Sequence, residues 1–229
     1  MIRAFVFDLG GVILDDGPLH LELTRALVEE LGLSLPEEHW WSRYQGLEDR
    51  ILFSNLARDA GRVLHPDEVR RLAAEKARRW SRETASRDLL FPGAAQLVKE
   101  AARRAPLGLV AQEPRGHVSL ALKQAGIFDR FTAIVGGDDP VRPRPDPSGH
   151  LHCLDAVNRD LARHGKAAVS ARSVLAVEDS DVGVAAAKAA GFKVLALGHS
   201  QPAHRLSQAD AFAARLLDVS LELLTRELF

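Results

Sequence analysis

The amino-acid sequence predicts an α/β fold in which a parallel sheet carries helices on both faces and an all-helical domain is inserted after the first strand. Short apolar runs typical of buried strands alternate with helical patterns along most of the chain, which favours parallel strands joined by helical crossovers. The exception is the stretch from about residue 18 to residue 88, which contains helical patterns only. We therefore expect a core domain of residues 1–17 and 89–229, with a helical domain of residues 18–88.

The predicted strands are short and apolar. The first, residues 4–7, is rich in branched and aromatic side chains, as expected of a strand buried on both faces. The later strands are predicted at residues 107–111, 133–135, 174–177 and 193–197. Helical patterns separate or follow these runs at residues 93–104, 117–125, 151–164, 183–190 and 216–227. Strand and helix alternate in the order that a sheet covered on both sides requires.

Composition excludes several classes of protein. The 229 residues include 30 basic and 31 acidic side chains, and a formal net charge of -1 argues against a general nucleic-acid or membrane-surface binder. The single cysteine, Cys153, rules out an internal disulfide. No signal peptide or long apolar span is recognisable, so we expect a cytoplasmic protein, either a monomer or a homodimer.

Acidic side chains follow two of the predicted strands. Asp8 follows the first strand, and Glu178 and Asp179 follow the strand at residues 174–177. Ligands of open parallel sheets bind beyond the carboxyl ends of the strands, where these three carboxylates could converge. Such a cluster calls for a cation, and oxygen ligands suit Mg²⁺. The alternative is that Asp179 or Ser180 simply caps the helix that follows.

Three motifs, taken in order, resemble those of the haloacid dehalogenase superfamily. They are FDLGGVILD at the first strand, VRPRPDP before a later helix, and VLAVEDSDVGVAAAKAAG near the end, with the helical insertion after the first. The likeness covers nearly the whole chain and is greatest to phosphatases and mutases with a helical cap, such as the β-phosphoglucomutase branch. It implies a Rossmann-like core and a cap domain at residues 18–88.

The resemblance also implies roles for individual residues. Asp8 would be the nucleophile that forms an aspartyl-phosphate. Mg²⁺ would be held by Asp8, the backbone carbonyl of Gly10, Glu178 and Asp179. The phosphate would be held by the residues at the family's second and third motifs, which are Ala111, Gln112 and Arg142. In the cap, the residues that would face the substrate are His20, Arg50 and Lys76.

This chain departs from the family pattern at three of these positions. Gly10 stands where the family has the Asp that protonates the leaving oxygen, and Ala111 stands where a Thr or Ser hydroxyl holds the phosphate. Arg142 aligns with the family's Lys, and Arg144 is a second candidate if the loop is shifted. Arginine keeps the positive charge and can grip phosphate through two N–H groups.

The expected function is Mg²⁺-dependent hydrolysis of a small phosphorylated metabolite through an aspartyl-phosphate. One alternative is a catalytically degenerate relative that binds a phosphorylated ligand or a protein partner. Another is dehalogenation or phosphonate cleavage on the same fold; phosphonate cleavage needs a cap lysine, and Lys76 is the only lysine of residues 18–88.

His150 and His152 raise the question of a zinc site beside Cys153. Two histidines two residues apart on a helix point to different sides, and no further pair of ligands follows them. Zinc is therefore not expected.

Overall fold

The computed structural model describes residues 1–228, which form two compact units. One comprises Met1–Asp15 together with the described residues from Leu90 onward, and is called the core below. The other, Asp16–Leu89, is called the helical insert.

The core contains a six-stranded sheet in which every neighbouring pair of strands is parallel. The strands lie in the order β3-β2-β1-β4-β5-β6. Their bounds are Ala4–Phe7 (β1), Leu107–Val110 (β2), Phe131–Val135 (β3), Val174–Glu178 (β4), Lys193–Leu197 (β5) and Ala211–Ala213 (β6). The predicted fold class, a parallel α/β sheet, is confirmed.

Helices connect these strands and make up the insert. The insert contains α1 (Gly17–Glu29), α2 (Glu37–His39), α3 (Asp49–Asp59) and α4 (Pro66–Thr84). The core contains α5 (Ala94–Arg104), α6 (Arg115–Gln124), α7 (Ser148–Arg163), α8 (Asp181–Ala189) and α9 (Leu221–Leu228). None of the helices within residues 1–228 combines the length and apolarity needed to cross a membrane.

β1 lies at the centre of the sheet and is covered on both faces. Ala4 and Val6 pack into a cluster with side chains of α7 and α8, while Phe5 and Phe7, which point to the opposite face, are each 1% exposed. Since successive side chains of a strand alternate between faces, complete burial of all four requires cover on both sides. The end of β1 therefore projects from the middle of a well-packed core.

The core also holds the two points at which the chain enters and leaves the helical insert. Leu14 and Leu90 pair in an isolated antiparallel bridge, and the Phe91 N–H donates to the Ile13 carbonyl at 3.0 Å. The chain thus leaves the core and returns to it at adjacent, hydrogen-bonded positions.

The helical insert has an apolar core of its own. Trp40, Tyr44, Leu52 and Phe53 are buried there in a single cluster. Trp40 and Tyr44 therefore pack the insert.

Two elements near the carboxyl terminus differ from prediction. β6 was not predicted, because its apolar run of three residues is short and, at the sheet edge, is only partly buried or exposed. The helix predicted at residues 216–227 is instead a 3₁₀ turn at Leu216–Asp218 followed by α9. Val219 has extended backbone, with φ of −79° and ψ of 123°, and interrupts the helical path.

Candidate active site

The carboxyl ends of β1 and β4 bring three acidic residues to one edge of the sheet. Phe7 pairs with Val177, and the Asp8 N–H continues the ladder by donating to the Val177 carbonyl at 3.0 Å. Glu178 ends β4 and Asp179 follows it. Asp8, Glu178 and Asp179 are 6%, 0% and 2% exposed. The register of the two central strands thus places these buried carboxylates at neighbouring strand ends.

One buried arginine connects these strand ends. The Arg144 Nη1 lies 2.6 Å from Asp8 Oδ2 and the Nη2 lies 2.9 Å from Asp8 Oδ1, which is a two-point ion pair. The same Nη2 donates to the carbonyl of Val110, at the end of β2, at 2.8 Å. Nη1 also lies 3.4 Å from Glu178 Oε2. Arg144 therefore bridges the ends of β1, β2 and β4.

Arg142, the first candidate from the sequence, does not contact Asp8. Its side chain is 83% exposed and pairs with Asp146 at 3.5 Å. The structure corrects the expectation here: the cation beside Asp8 belongs to the second candidate, Arg144. Motif alignment could not decide between them, because the conformation of a proline-rich loop has no periodicity from which its register could be read.

The electrostatics of the cluster are set by burial and by Arg144. Burial raises the pKa of Asp8 well above its usual range; Arg144 opposes this shift, whereas Glu178 and Asp179 add to it. Burial acts in the same direction on Glu178, but Arg144 and the hydrogen bond from His150 hold the pKa of Glu178 below its usual value. Despite its burial, the pKa of Arg144 is raised by Asp8 and Glu178, so Arg144 stays charged.

The charges and donors of this cluster fit a divalent cation. Asp8 and Glu178 both lie within 3.4 Å of the buried Arg144 guanidinium, and Asp179 is buried beside Glu178 at the same strand end. Among residues 1–228, no hydrogen-bond donor satisfies the buried Glu178 Oε2. Uncompensated buried carboxylates are costly, and an all-oxygen donor set of this kind suits Mg²⁺.

The loop after Asp8 lies close against Asp179. Gly11 has a φ of 70°, and a Cβ at this position would collide with the Asp179 carboxylate. His199 holds the loop in place: its Nδ1 lies 2.8 Å from the Gly11 carbonyl, and its Nε2 accepts from the Leu216 N–H at 3.1 Å. Glycine is therefore required at this close approach.

The alternative role considered for Asp179 and Ser180, capping of the helix that follows, is taken by Ser180. Ser180 is the N-cap of α8, and its hydroxyl accepts from the Gly183 N–H at 3.2 Å. Ser180 thus caps the helix while Glu178 and Asp179 remain at the strand end.

The predicted phosphate-binding positions lie at the end of β2. Ala111 is buried, and its N–H donates to the Val135 carbonyl at 2.9 Å, which extends the β2–β3 pairing. Gln112 follows directly, with Gly137 packed against its carbonyl. The neighbouring strand end thus carries no hydroxyl at position 111, as the sequence implied.

The three predicted cap residues lie in the helical insert, each beside an acidic side chain. Lys76 is buried, with its ammonium 2.5 Å from Asp49 Oδ1 and 5.7 Å from the centroid of the Trp40 ring. The Arg50 side chain is 55% exposed and pairs with Glu48. His20 Nε2 lies 3.3 Å from the buried Asp16.

His150 was not predicted as a site residue, yet it contacts Glu178. The residue lies on α7 and is 1% exposed, with Nε2 2.8 Å from Glu178 Oε1. The sequence did contain a signal, because His150 shares the buried face of α7 with Cys153, Leu154 and Val157. A histidine on an otherwise apolar helix face needs a polar partner.

Comparisons with known proteins agree with this geometry. A model of the haloacid dehalogenase-like hydrolase family matches residues 2–191. YhcW of Bacillus subtilis strain 168 is 32% identical over 95% of this chain and 97% of its own. Phosphoglycolate phosphatase of Yersinia pseudotuberculosis is 31% identical over 86% of this chain and 81% of its own.

A solved structure shows the same fold. β-Phosphoglucomutase from Clostridium difficile superposes with a TM-score of 0.85 at 20% identity, covering 99% of this chain and 97% of the other. These matches confirm the resemblance drawn from the motifs, and they support the predicted enzyme class, a phosphoric-ester hydrolase. The chain belongs to the haloacid dehalogenase-like hydrolases.

Proposed function

We propose that this protein hydrolyses a small phosphate monoester through an aspartyl-phosphate formed on Asp8, with Mg²⁺ as cofactor. The observation that carries the proposal is the position of Asp8: its carboxylate is held at two points by Arg144, beside Glu178 and Asp179. The substrate class follows from relatives named for small phosphorylated metabolites, such as phosphoglycolate phosphatase.

The residues that would hold Mg²⁺ are Asp8, Glu178, Asp179 and the backbone carbonyl of Gly10. When bound, the cation offsets the negative charge of the phosphoryl group and of the carboxylates around it.

Asp8 would act as the nucleophile. One carboxylate oxygen attacks phosphorus, the bond from phosphorus to the ester oxygen breaks, and the alcohol portion leaves with a proton from solvent or substrate. Water then hydrolyses the acyl phosphate and releases inorganic phosphate, which restores the Asp8 carboxylate. Arg144 keeps Asp8 aimed and adds positive charge where the phosphoryl oxygens would lie.

Protonation of the leaving oxygen is the step of this mechanism to which no residue is assigned. Gly10 has no side chain and cannot protonate the leaving oxygen, a role commonly worth about 10²–10⁴-fold in rate. Ala111 likewise offers no hydroxyl to the phosphate. We expect substrates with good leaving groups to be hydrolysed fastest.

The helical insert would serve as the cap domain that selects the substrate, with His20, Arg50 and Lys76 as its candidate contacts. Hinges are expected near residues 15–18 and 89–92. A cytoplasmic location and a monomeric or homodimeric state also remain predictions.

A degenerate protein that binds a phosphorylated ligand without turning it over is the second candidate. The missing side-chain groups at Gly10 and Ala111 favour it. Phosphonate cleavage through a Schiff base is less well supported, because the Lys76 ammonium is buried in an ion pair with Asp49.

The proposal is tested by assaying a panel of phosphate monoesters, including p-nitrophenyl phosphate and phosphoglycolate, with Mg²⁺ and with a chelator. Release of phosphate that requires Mg²⁺ and disappears in Asp8→Asn would support it. Activity that survives Asp8→Asn would rule out Asp8 as the nucleophile, and an inert wild type that still binds phosphorylated ligands would favour the second candidate.

A further inference from the structure

A buried histidine reaches the acidic cluster from outside the strand ends. His150 lies in the first turn of α7, at the end of the loop that carries Arg144. Its Nε2 lies 2.8 Å from Glu178 Oε1, and the side chains of His150 and Glu178 are 1% and 0% exposed. A hydrogen bond to a charged acceptor in so dry a setting is stronger than an exposed one.

The two ring nitrogens of His150 have different surroundings. Nδ1 is buried and has no hydrogen-bond partner within residues 1–228, whereas Nε2 faces the Glu178 carboxylate. An ionised carboxylate can only accept a hydrogen bond, so Nε2 is the donor toward Glu178. His150 thus donates to Glu178 Oε1 with a defined ring orientation.

Packing holds both partners in this orientation. The ring of Phe192 meets the imidazole edge-on, with centroids 5.8 Å apart and planes at 79°. On the other side, Gly183 of α8 lies so close to Glu178 Oε2 that a Cβ there would collide with it. Phe192 and Gly183 thus pack against the imidazole and the carboxylate, respectively.

The two carboxylate oxygens of Glu178 have different partners. Oε1 is occupied by His150, while Oε2 accepts no hydrogen bond among the described residues and lies 3.4 Å from Arg144 Nη1. Oε2 is therefore the oxygen that faces Arg144 and the one left to bind a cation.

We propose that His150 is a positioning residue that fixes Glu178 with Oε2 directed at the divalent cation. The inference rests on the proposed function, since it assigns His150 to the same metal site. Hydrogen-bond partners of metal-binding carboxylates orient these ligands, and their loss typically weakens metal binding about 10–100-fold.

The test is a calorimetric titration of the full-length protein with Mg²⁺ alone, which requires no substrate and no turnover. His150→Phe keeps a ring against Phe192 but removes the donor. His150→Gln can place an amide N–H near the position of Nε2, whereas His150→Asn is too short to reach Glu178. Asp179→Asn reports on the metal site itself.

We expect the dissociation constant for Mg²⁺ to rise at least about tenfold in His150→Phe and His150→Asn, and to stay within about threefold of wild type in His150→Gln. Thermal unfolding without Mg²⁺ verifies that each variant is folded. Should His150→Phe fail to fold, the comparison of the Gln and Asn variants decides.

Wild-type affinity in both His150→Phe and His150→Asn would overturn the inference, as would equal losses in the Gln and Asn variants, which would indicate packing alone. If the wild type binds Mg²⁺ and Asp179→Asn does not, the metal site stands whatever the His150 variants do. A wild type that binds no Mg²⁺ would overturn both the metal site and the role of His150.

Discussion

The guanidinium of Arg144 and the carboxylate of Asp8 face each other at two points, with N–O distances of 2.6 and 2.9 Å. Both side chains are less than a tenth exposed. Removing one member of such a pair leaves the other as an uncompensated buried charge, whereas exposed pairs contribute little.

Arg144→Ala and Arg142→Ala therefore form a matched pair of substitutions in one loop. We expect Arg144→Ala to lower kcat/KM for a phosphate ester by about 10²–10³-fold, the usual effect of losing one preorganised donor. Arg142→Ala should remain within about twofold of wild type, because its side chain is exposed. Steady-state kinetics of both variants decides, and equal losses would show that Arg144 has no special role.

Gly10 and Gly11 form a second matched pair. Gly10→Asp should raise turnover at least about tenfold if the missing acid limits the reaction. Gly11→Asp should bring no gain and should lower the melting temperature, because of its positive φ and the collision with Asp179.

Ala111→Thr distinguishes the two missing groups. If positioning of the phosphate limits the reaction instead, Ala111→Thr should improve turnover while Gly10→Asp does little. Kinetics of the single and double variants measures this, and strong non-additivity is expected because both residues act on one transition state. A gain in turnover in Gly11→Asp would contradict the assignment of the missing acid to position 10.

Mg²⁺ should raise the melting temperature, because a ligand bound only by the folded state stabilises it by about 2.7 kcal/mol at a hundredfold excess over its dissociation constant. Asp179→Asn should remove most of this shift. Asp181→Asn is the control: Asp181 lies two residues away but pairs with Arg205. Differential scanning fluorimetry at millimolar Mg²⁺ gives the answer, and equal shifts in both variants would argue against Asp179 as a ligand.

Tyr44 is the only tyrosine, so the ultraviolet absorbance of phenolate reports on it alone. Burial and the hydrogen bond to Asp59 raise its pKa to about 12. Since the folded pKa is raised, the contribution of Tyr44 to stability is complete below the unfolded pKa of about 10 and is lost as the pH rises toward 12.

The measurement is a spectrophotometric titration in buffer and in denaturant, with Tyr44→Phe as the blank. A native midpoint equal to that of the unfolded chain would contradict the hydrogen bond to Asp59. The same titration followed by circular dichroism shows whether unfolding accompanies ionisation.

Much of the fold and part of the candidate site follow from sequence, for identifiable reasons. β1 and β5 match their predicted bounds because each contains a continuous buried apolar run, which ends at Asp8 in the first case and at Gly198 in the second. Asp8, Glu178 and Asp179 were identified by their place directly after such runs. The edge strand β6 is a run of only three apolar residues that are not buried on both faces, and it was missed.

Contacts made across the fold were not predictable in the same way. Arg144 and His150 reach Asp8 and Glu178 over separations of 136 and 28 residues. No local pattern encodes which arginine of a loop turns inward, or which carboxylate a buried histidine meets. These contacts depend on the tertiary packing of the loop before α7 against the strand ends.

The bridge between Leu14 and Leu90 has a consequence for protein engineering. The segments around Leu14 and Leu90 are already hydrogen-bonded to each other in the core. A tight turn of a few residues could therefore join them without moving either end. The intervening 75 residues are therefore a replaceable insertion. Deleting it should give a minimal α/β polypeptide, and foreign helical segments could be grafted between the same two positions while the strand ends that carry Asp8, Glu178 and Asp179 stay in place.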